Sequence, residues 1–201
     1  MTTASASLRD VIGLGSHVPR LDESTLVMID FQNTYRDGVM ALDGAEQALV
    51  AGARLLASAR AVGAPVIHVV NDGGEGSPYD IRAEIGSISD EVAPLAGEPV
   101  VVKHFPNAFH DTALEETLRT LSAGPDLVIA GFMTHMCVTF TAQGAFNLGY
   151  RPTVVAEATA TRPLTTPDGN VLAAATLQSA ALTTISDLFG TVAPTVDSLV
   201  P

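Results

Sequence analysis

Short apolar runs alternating with helical patterns are the feature of this chain that most constrains its fold. Each run is long enough for a buried strand and too short for a helix. The helical patterns between most of them indicate crossover connections between parallel strands. The runs cover residues 26–30, 65–70, 99–103, 127–130, 152–156 and 190–192. The sequence therefore predicts an α/β fold with three layers: a doubly wound, six-stranded, mainly parallel sheet with helices on both faces.

The remaining segments are assigned from apolar spacing and breaker residues. Helical spacing predicts helices over residues 44–62, from about 112 to 121, from about 135 to 149, and over 171–188. Asp111 or Thr112 could cap the second of these helices. Residues 73–98 have weak periodicity and predict a long surface excursion, a kind of segment that is often functional. Residues 1–22 are interpreted as an N-terminal arm, and residues 1–201 as one domain.

Composition excludes several classes of function. With a net charge of −12 and only ten scattered Lys and Arg residues, the chain is not expected to bind nucleic acid. No apolar run reaches the roughly eighteen residues of a membrane span, so no membrane partner is expected. The N-terminus has no secretory signal pattern, and a single cysteine cannot form an internal disulfide. These features predict a cytoplasmic globular protein.

The single cysteine, Cys137, lies near the start of the third predicted helix, after a strand that Gly131 ends. Unpaired backbone N–H groups and the helix dipole favour an anion at this place. The position therefore predicts a lowered thiol pKa, and a thiol that reacts with iodoacetamide well below pH 8. The alternative is that Cys137 is a small buried hydrophobic residue.

Two more residues of complementary chemistry fall at the same edge of the predicted sheet. In doubly wound folds ligands bind beyond the carboxyl ends of the strands. Asp30 ends the first strand, Lys103 ends the third, and Cys137 follows the fourth after a short loop. Alone, Asp30 could cap a turn and Lys103 could be a solvated strand end. Their joint occurrence with a lone cysteine indicates a catalytic site.

Asp30, Lys103 and Cys137, in that order, resemble the catalytic set of the isochorismatase-like cysteine hydrolases, the family that includes nicotinamidase. The resemblance extends from about residue 26 to 192. It rests on LVMIDFQNTY, VVKHFPNAF, VIAGFMTHMCV and LGYRPTVVAEATATR, which begin at residues 26, 101, 128 and 148. It implies a six-stranded doubly wound sheet and a cis peptide bond between Phe132 and Met133.

The chemistry of the three residues can be argued directly. Asp30 would take the thiol proton as general base, and Lys103 would keep Asp30 ionised and favour the thiolate. Attack of Cys137 on a carbonyl carbon forms an oxyanion, which needs preorganised donors. The backbone N–H of Cys137 would supply one, and the family resemblance implies a second from Met133. The expected activity is hydrolysis of a C–N bond in a small amide, imide or ureide-like substrate, through a thioester.

The walls of the substrate pocket are predicted from residues next to the three motifs. They are Phe31, Gln32, Tyr35, His104, Phe105, Phe109, Phe132, Thr134 and His135. For the aromatic residues the alternative is core packing, and His135 could cap the turn instead. His68, inside a buried strand, is interpreted as a hydrogen-bonded core histidine.

A metal or other cofactor is not expected. Nicotinamidases carry an Asp-x-His pair and a further His that bind a metal, and this chain has no Asp-x-His. Its five histidines show no ligand spacing. The Gly73, Gly74 and Gly76 cluster lacks a phosphate-binding pattern and is interpreted as a flexible loop.

Two other functions stay open at this point. One is an isochorismatase that cleaves a vinyl ether, a reaction that has no use for a cysteine nucleophile and whose turnover would survive loss of the thiol. The other is a catalytically silent relative that serves as a binding or scaffold module, which an unreactive, buried Cys137 would favour. In each case we expect a homo-oligomer, a dimer or tetramer, and a small molecule as the ligand.

Overall fold

A computed structural model of the protein describes residues 4–199. Its strands are β1 (Thr25–Ile29), β2 (Val66–Asn71), β3 (Val100–Lys103), β4 (Asp126–Phe132), β5 (Arg151–Ala160), β6 (Leu164–Thr165), β7 (Val171–Leu172) and β8 (Thr191–Ala193). Six of them form one parallel sheet in the order β3-β2-β1-β4-β5-β8. Strands β6 and β7 form a separate antiparallel hairpin. The predicted six-stranded sheet is confirmed, and all of its strand pairs are parallel.

Helices cover both faces of the sheet. They are α1 (Leu8–Val11), α2 (Ala45–Ala61), α3 (Leu114–Thr120), α4 (Thr139–Asn147) and α5 (Ala174–Thr184). Along β1, Leu26 and Met28 pack in the core beneath α2, whereas Val27 and Ile29 pack in the opposite core beneath α3 and α4. This alternation follows from the period of two of a strand. It confirms the predicted three-layer arrangement. No helix within residues 4–199 is both long and apolar enough to cross a membrane.

The fourth predicted helix begins later than its apolar pattern indicates. Val171 and Leu172 belong to strand β7, and the helix starts at Ala174. A tight turn precedes them, in which the Thr166 N–H donates to the Asn170 carbonyl at 2.8 Å and Gly169 has a φ of 86°. Because Val171 and Leu172 are as apolar as the helix that follows, periodicity does not mark this boundary.

Two other helix starts also differ from prediction. The third helix opens with a π-helical turn, Thr134–Val138, before α4 begins. In the second, Thr112 Oγ1 accepts a hydrogen bond from the Leu114 N–H at 3.1 Å, and α3 begins at Leu114. The N-terminal arm includes the short helix α1, and its first three residues lie outside the described part of the chain.

The long excursion predicted between the second and third strands is confirmed. It contains the 3-10 turns Glu84–Gly86 and Asp90–Val92. The Ser89 N–H donates to the Phe31 carbonyl at 2.8 Å, and the Asn33 N–H donates to the Ser87 carbonyl at 3.0 Å. The excursion therefore lies over the segment that follows β1, at the carboxyl edge of the sheet.

Gly131 fixes how closely β4 approaches β1 at that edge. Its φ is 132°, a value that L side chains rarely adopt, and it pairs with Ile29. A Cβ atom at this position would lie 1.8 Å from the Ile29 carbonyl oxygen. Only glycine fits, since no side-chain rotation can move a Cβ. The contact places the ends of β1 and β4 side by side, and Asp30 and Cys137 follow those two ends.

Glu98 joins α2, β2 and the end of the excursion. Its carboxylate accepts hydrogen bonds from Arg60 Nε and Nη2, each at 2.8 Å, and from the Leu95 N–H at 2.9 Å. It also lies 2.9 Å from Nε2 of His68, whose pKa burial lowers. Arg60 and these other donors lower the pKa of Glu98 to about 2. His68 is thus a buried, hydrogen-bonded core histidine, as predicted.

We predict that Glu98→Gln lowers the free energy of unfolding by about 1–3 kcal/mol at pH 7. Because the folded-state pKa lies below the ordinary value of 4.5, this stabilisation is complete above that value and is lost as the pH falls towards 2. Urea unfolding at pH 7 and at pH 3 measures it. Glu115→Gln, which removes the same charge from an exposed pair with Arg119, should cost less than about 0.5 kcal/mol. Equal losses in both variants would contradict the prediction.

Candidate active site

Asp30 lies at the point where the chain leaves β1. Its side chain is fully buried, and its N–H donates to the Val69 carbonyl at 2.8 Å. Its φ of 51° puts it in the left-handed region, which is uncommon for a residue other than glycine. Such conformations cluster at functional sites because the surrounding structure must hold them in place. The turn aims the carboxylate along the edge of the sheet.

Lys103, the last residue of β3, is also fully buried. Its Nζ lies 2.8 Å from Asp30 Oδ2, 3.1 Å from Asn71 Oδ1 and 3.2 Å from Cys137 Sγ. An ammonium group has three N–H donors, so these contacts use all of them. The three residues predicted from the sequence therefore meet around one nitrogen atom.

Cys137 lies in the π-helical turn and is 7% exposed. The Met136 and Val138 N–H groups donate to the Met133 carbonyl, at 3.0 and 3.3 Å, and fix the turn. The peptide bond between Phe132 and Met133 is cis, as the resemblance implies. Within residues 4–199, no hydrogen bond is donated by the Met133 N–H.

The pKa of Cys137 corrects the sequence-based expectation. Burial and the neighbouring Asp30 carboxylate raise it to about 12, although Lys103 acts in the opposite direction. The expectation of a lowered pKa considered the helix start and Lys103 but not the loss of water around the sulfur. At neutral pH the resting side chain is therefore a neutral thiol.

The two charged partners stabilise each other in this buried place. Burial raises the pKa of Asp30, and Lys103 offsets part of that effect. Burial by itself would lower the pKa of Lys103, but the Asp30 and Cys137 charges outweigh it and the pKa is raised. A buried carboxylate and ammonium at 2.8 Å make an ion pair without net charge. A thiolate in the same place would add an uncompensated negative charge.

Asp30 retains capacity to accept a proton. Among the contacts of residues 4–199, neither of its carboxylate oxygens accepts a well-aligned hydrogen bond, and its contact with Lys103 is the ion pair alone. Buried polar atoms usually have partners, and exceptions often serve catalysis. A carboxylate with unused acceptor positions beside a thiol can take the thiol proton as the sulfur attacks.

Gln32 holds a neighbour of Lys103 in place through hydrogen bonds. Its Nε2 donates to the Asn71 and Gly86 carbonyls, at 3.0 and 2.6 Å, and its Oε1 accepts from the Asn71 N–H at 2.9 Å. It thereby holds Asn71, which in turn contacts Lys103. These bonds tie the end of β2 to the excursion and orient the lysine.

Several predicted pocket residues lie in the core. The Phe31 and Phe132 rings pack against each other with centroids 4.9 Å apart, and both are buried. Tyr35 is buried between Phe132 and Tyr79. Thr134 is fully buried, and its hydroxyl donates to the Ala160 carbonyl at 3.0 Å. Their contribution to a substrate pocket stays a prediction, as does that of Gln32.

The other predicted pocket residues are more accessible. His104 Nδ1 lies 2.9 Å from the Asp72 carbonyl, and Phe105 is exposed with its ring against His110. Phe109 is half-buried and stacks on Tyr150. His135 is half-buried, and its Nδ1 lies 2.5 Å from Thr161 Oγ1.

Sequence reasoning missed three residues near the site. Asn71 ends β2 at the same edge of the sheet, so the filter that selected Asp30 and Lys103 could have found it. Tyr79 belongs to the excursion, where no pattern distinguishes it. Arg162 follows β5, which continues to Ala160 instead of ending near residue 156 as predicted. With the correct strand end, Arg162 also falls at the carboxyl edge.

No metal-binding arrangement is present in the part of the chain that the structure describes: no three or more His, Cys, Asp or Glu side chains there could hold an ion. The prediction that the protein needs no metal remains untested.

A surface cleft of about 680 Å³ is lined by residues such as Asn33, Arg36 and Glu84. It does not include Asp30, Lys103 and Cys137, which are called the triad below. The buried cluster around Lys103 is thus separate from this wider cleft.

The fold is a doubly wound α/β fold on a parallel sheet, with Asp30, Lys103 and Cys137 clustered at its carboxyl edge. A family model described as the isochorismatase domain matches residues 24–196. The chain therefore belongs to the isochorismatase family of hydrolases.

Three relatives illustrate the range of this family. The chain is 34% identical to the secreted isochorismatase effector Isc1 of Verticillium dahliae, over 96% of this chain and 98% of that protein. It superimposes with a TM-score of 0.93 on the crystal structure of an isochorismatase from Pseudomonas putida, at 37% identity, over 98% of this chain and 100% of the other. It is 31% identical to the ureidoacrylate amidohydrolase RutB of Stutzerimonas stutzeri, over 70% of this chain and 71% of that protein.

We predict that Cys137 in the native protein reacts with iodoacetamide at pH 8 at least about 100-fold more slowly than an unperturbed thiol, because its pKa is about 12. Mass spectrometry of the alkylated protein, native and in urea, measures the two rates. Asp30→Asn should speed the native reaction, because Lys103 then acts on the thiol unopposed. Lys103→Met should not speed it. Fast native labelling below pH 8 would contradict this account.

Proposed function

We propose that this protein is a cysteine-dependent hydrolase that cleaves a C–N bond in a small amide, imide or ureide-like substrate. The contact of one buried ammonium nitrogen with both Asp30, at 2.8 Å, and Cys137, at 3.2 Å, carries the proposal. Holding a lysine and an aspartate in the core beside a sulfur brings no packing advantage over apolar residues. The similarity to RutB, an amidohydrolase, supports a C–N bond as the target.

In the first half-reaction the Cys137 sulfur attacks the carbonyl carbon while its proton passes to Asp30. Asp30 then gives that proton to the leaving nitrogen, the C–N bond breaks, and a thioester remains on Cys137. Lys103 stays protonated throughout. It offsets the negative charge of Asp30 before the attack and any charge that develops on the sulfur as its proton leaves. In the tetrahedral intermediate the negative charge lies on the former carbonyl oxygen.

In the second half-reaction water attacks the thioester. Asp30, ionised again after protonating the amine, takes a proton from the water and returns it to the Cys137 sulfur as the acid leaves. The oxyanion of both steps needs donors, and we assign this role to the backbone N–H groups of Met133 and Cys137. The Met133 N–H is available for it, since it donates to no acceptor in residues 4–199.

The raised pKa of Cys137 fits this mechanism. The thiol does not need to ionise at rest, because Asp30, the base that accepts its proton, is already in place as a carboxylate paired with Lys103. Slow alkylation therefore does not separate an enzyme from a silent scaffold, and turnover must decide. Vinyl ether cleavage is the second candidate, because two of the similar proteins are described as isochorismatases. It does not require the sulfur.

We predict that Cys137→Ala abolishes hydrolysis while the thermal midpoint changes by only a few degrees, because a small buried side chain is replaced by a smaller one. Ammonia release from a panel of small amides and ureides identifies the substrate, and mass spectrometry after rapid acid quenching detects the acyl-enzyme. Phe140→Ala, at an exposed position in α4, serves as a control that retains the triad. Full ammonia release by the Cys137→Ala protein would exclude the mechanism. Vinyl ether cleavage would be favoured instead if no amide or ureide of the panel releases ammonia and turnover of a vinyl ether survives in the Cys137→Ala protein.

We predict that kcat/KM falls as the pH is lowered through the raised pKa of Asp30, because the protonated carboxyl cannot accept the thiol proton. The acid limb should therefore lie above the ordinary value of an aspartate. No alkaline limb from Lys103 or Cys137 is expected below about pH 10, since the pKa of each is raised. A pH profile of kcat/KM tests both limbs. A value of kcat/KM that rises steadily with pH towards 9 would instead indicate that the thiol must ionise before it attacks.

A further inference from the structure

Arg162 lies at the edge of the sheet where the triad is assembled. Ala160, the last residue of β5, pairs with Phe132 at the end of β4. The next residue, Thr161, contacts Nδ1 of His135 through its hydroxyl at 2.5 Å. Arg162 follows directly, so its backbone lies next to the turn Thr134–Val138 that holds Cys137.

The Arg162 guanidinium has no partner in residues 4–199. Its Nε is buried without an acceptor, and no carboxylate of the described residues forms an ion pair with it. Every other Lys and Arg side chain contacts a carboxylate or a carbonyl oxygen. In a chain with 22 acidic and ten basic residues, an arginine without an acid is unexpected unless something else supplies the anion.

Two side chains, His135 and Tyr79, are under the electrostatic influence of Arg162. Burial and the Arg162 charge both lower the pKa of His135, so this imidazole is neutral near pH 7. Burial raises the pKa of Tyr79, Cys137 and Asp30 also raise it, and Arg162 lowers it. Tyr79 is therefore within electrostatic reach of both the triad and Arg162. Arg162 therefore shares this edge of the sheet with two neutral hydrogen-bonding groups, the His135 imidazole and the Tyr79 hydroxyl.

No acid of the protein near Arg162 is available to neutralise it. Asp30, the carboxylate that also acts on Tyr79, is already paired with Lys103 at 2.8 Å. We propose that Arg162 is a specificity-determining residue that binds a carboxylate on the substrate. The substrates are then small amides or ureides that carry a free carboxylate. This inference rests on the proposed function and deepens it.

A carboxylate fits better than a phosphate group. A guanidinium fork binds the two oxygens of one carboxylate side by side and balances a single negative charge. A phosphate dianion would need further cations, and Lys103 is already in contact with Asp30, Asn71 and Cys137. The net charge of −12 would also repel a dianion more strongly than a monoanion.

The test uses a matched pair of amides, succinamate and 4-oxopentanamide, which have nearly the same shape and differ in one negative charge. Ammonia release gives kcat/KM for each. Native protein should prefer succinamate by about 10- to 100-fold. Arg162→Gln should remove most of that preference, chiefly through KM, and leave the rate on 4-oxopentanamide within about threefold. Arg162→Lys keeps the positive charge but loses the planar guanidinium group. Its preference for succinamate should lie between those of the native protein and of Arg162→Gln.

Controls separate specific binding from general electrostatics and misfolding. Arg119→Gln removes one positive charge from an exposed site and should leave the preference unchanged. Thermal unfolding should show that the Arg162→Gln protein is folded. A native protein that hydrolyses both amides equally, or an Arg162→Gln protein that keeps the full preference, would overturn the inference while leaving the proposed function intact.

A binding measurement covers the case in which neither amide is hydrolysed. Isothermal titration of Cys137→Ser with succinamate should show binding that is at least about tenfold weaker when Arg162→Gln is added. Binding lost in this way would support Arg162 even if native protein hydrolyses no member of the amide and ureide panel, a result that would contradict the proposed function alone. Absence of binding to Cys137→Ser, or equal binding by the double variant, would overturn the Arg162 inference.

Discussion

The ion pair between Lys103 and Asp30 is the interaction on which the rest of the site depends. Two opposite charges removed from water are tolerated only where each compensates the other and further hydrogen bonds orient them. Asn71 supplies such a bond to Lys103, and Gln32 holds Asn71. The neutral thiol follows from the same pair, because a third charge in this place would have no partner. Structure, protonation state and reactivity thus share one electrostatic cause.

The backbone brings these groups together through features that have no chemistry of their own. Gly131 lets β4 approach β1 so closely that no Cβ would fit, and Asp30 adopts a left-handed conformation directly after β1. The excursion from β2 to β3 lies over this edge and brings Tyr79 towards the nucleophile. The site is therefore assembled from the ends of β1, β2, β3 and β4, in keeping with the rule that parallel sheets bind ligands at the carboxyl ends of their strands.

The sheet could be predicted from the sequence because its strands are short, apolar and separated by breakers. The triad could be predicted because its members occupy strand ends, a position that apolar runs define well. The start of α5 could not be predicted, because the apolar residues Val171 and Leu172 fit the pattern of a strand and that of a helix equally well. The prediction of a lowered pKa for Cys137 was wrong, because desolvation depends on how deeply the turn is buried and the sequence does not show that depth. Arg162 was missed because β5 continues beyond its most apolar part. A homo-oligomer and a cytoplasmic location stay predictions.

The resting protonation of Cys137 has a consequence for the durability of the protein. Peroxides and other oxidants attack thiolates far faster than thiols, so the oxidation ladder begins with ionisation. In the proposed mechanism the Cys137 sulfur keeps its proton until a carbonyl compound arrives, so its raised pKa shields it from that damage. Such a nucleophile would persist in aerated surroundings where a permanently ionised cysteine would be consumed.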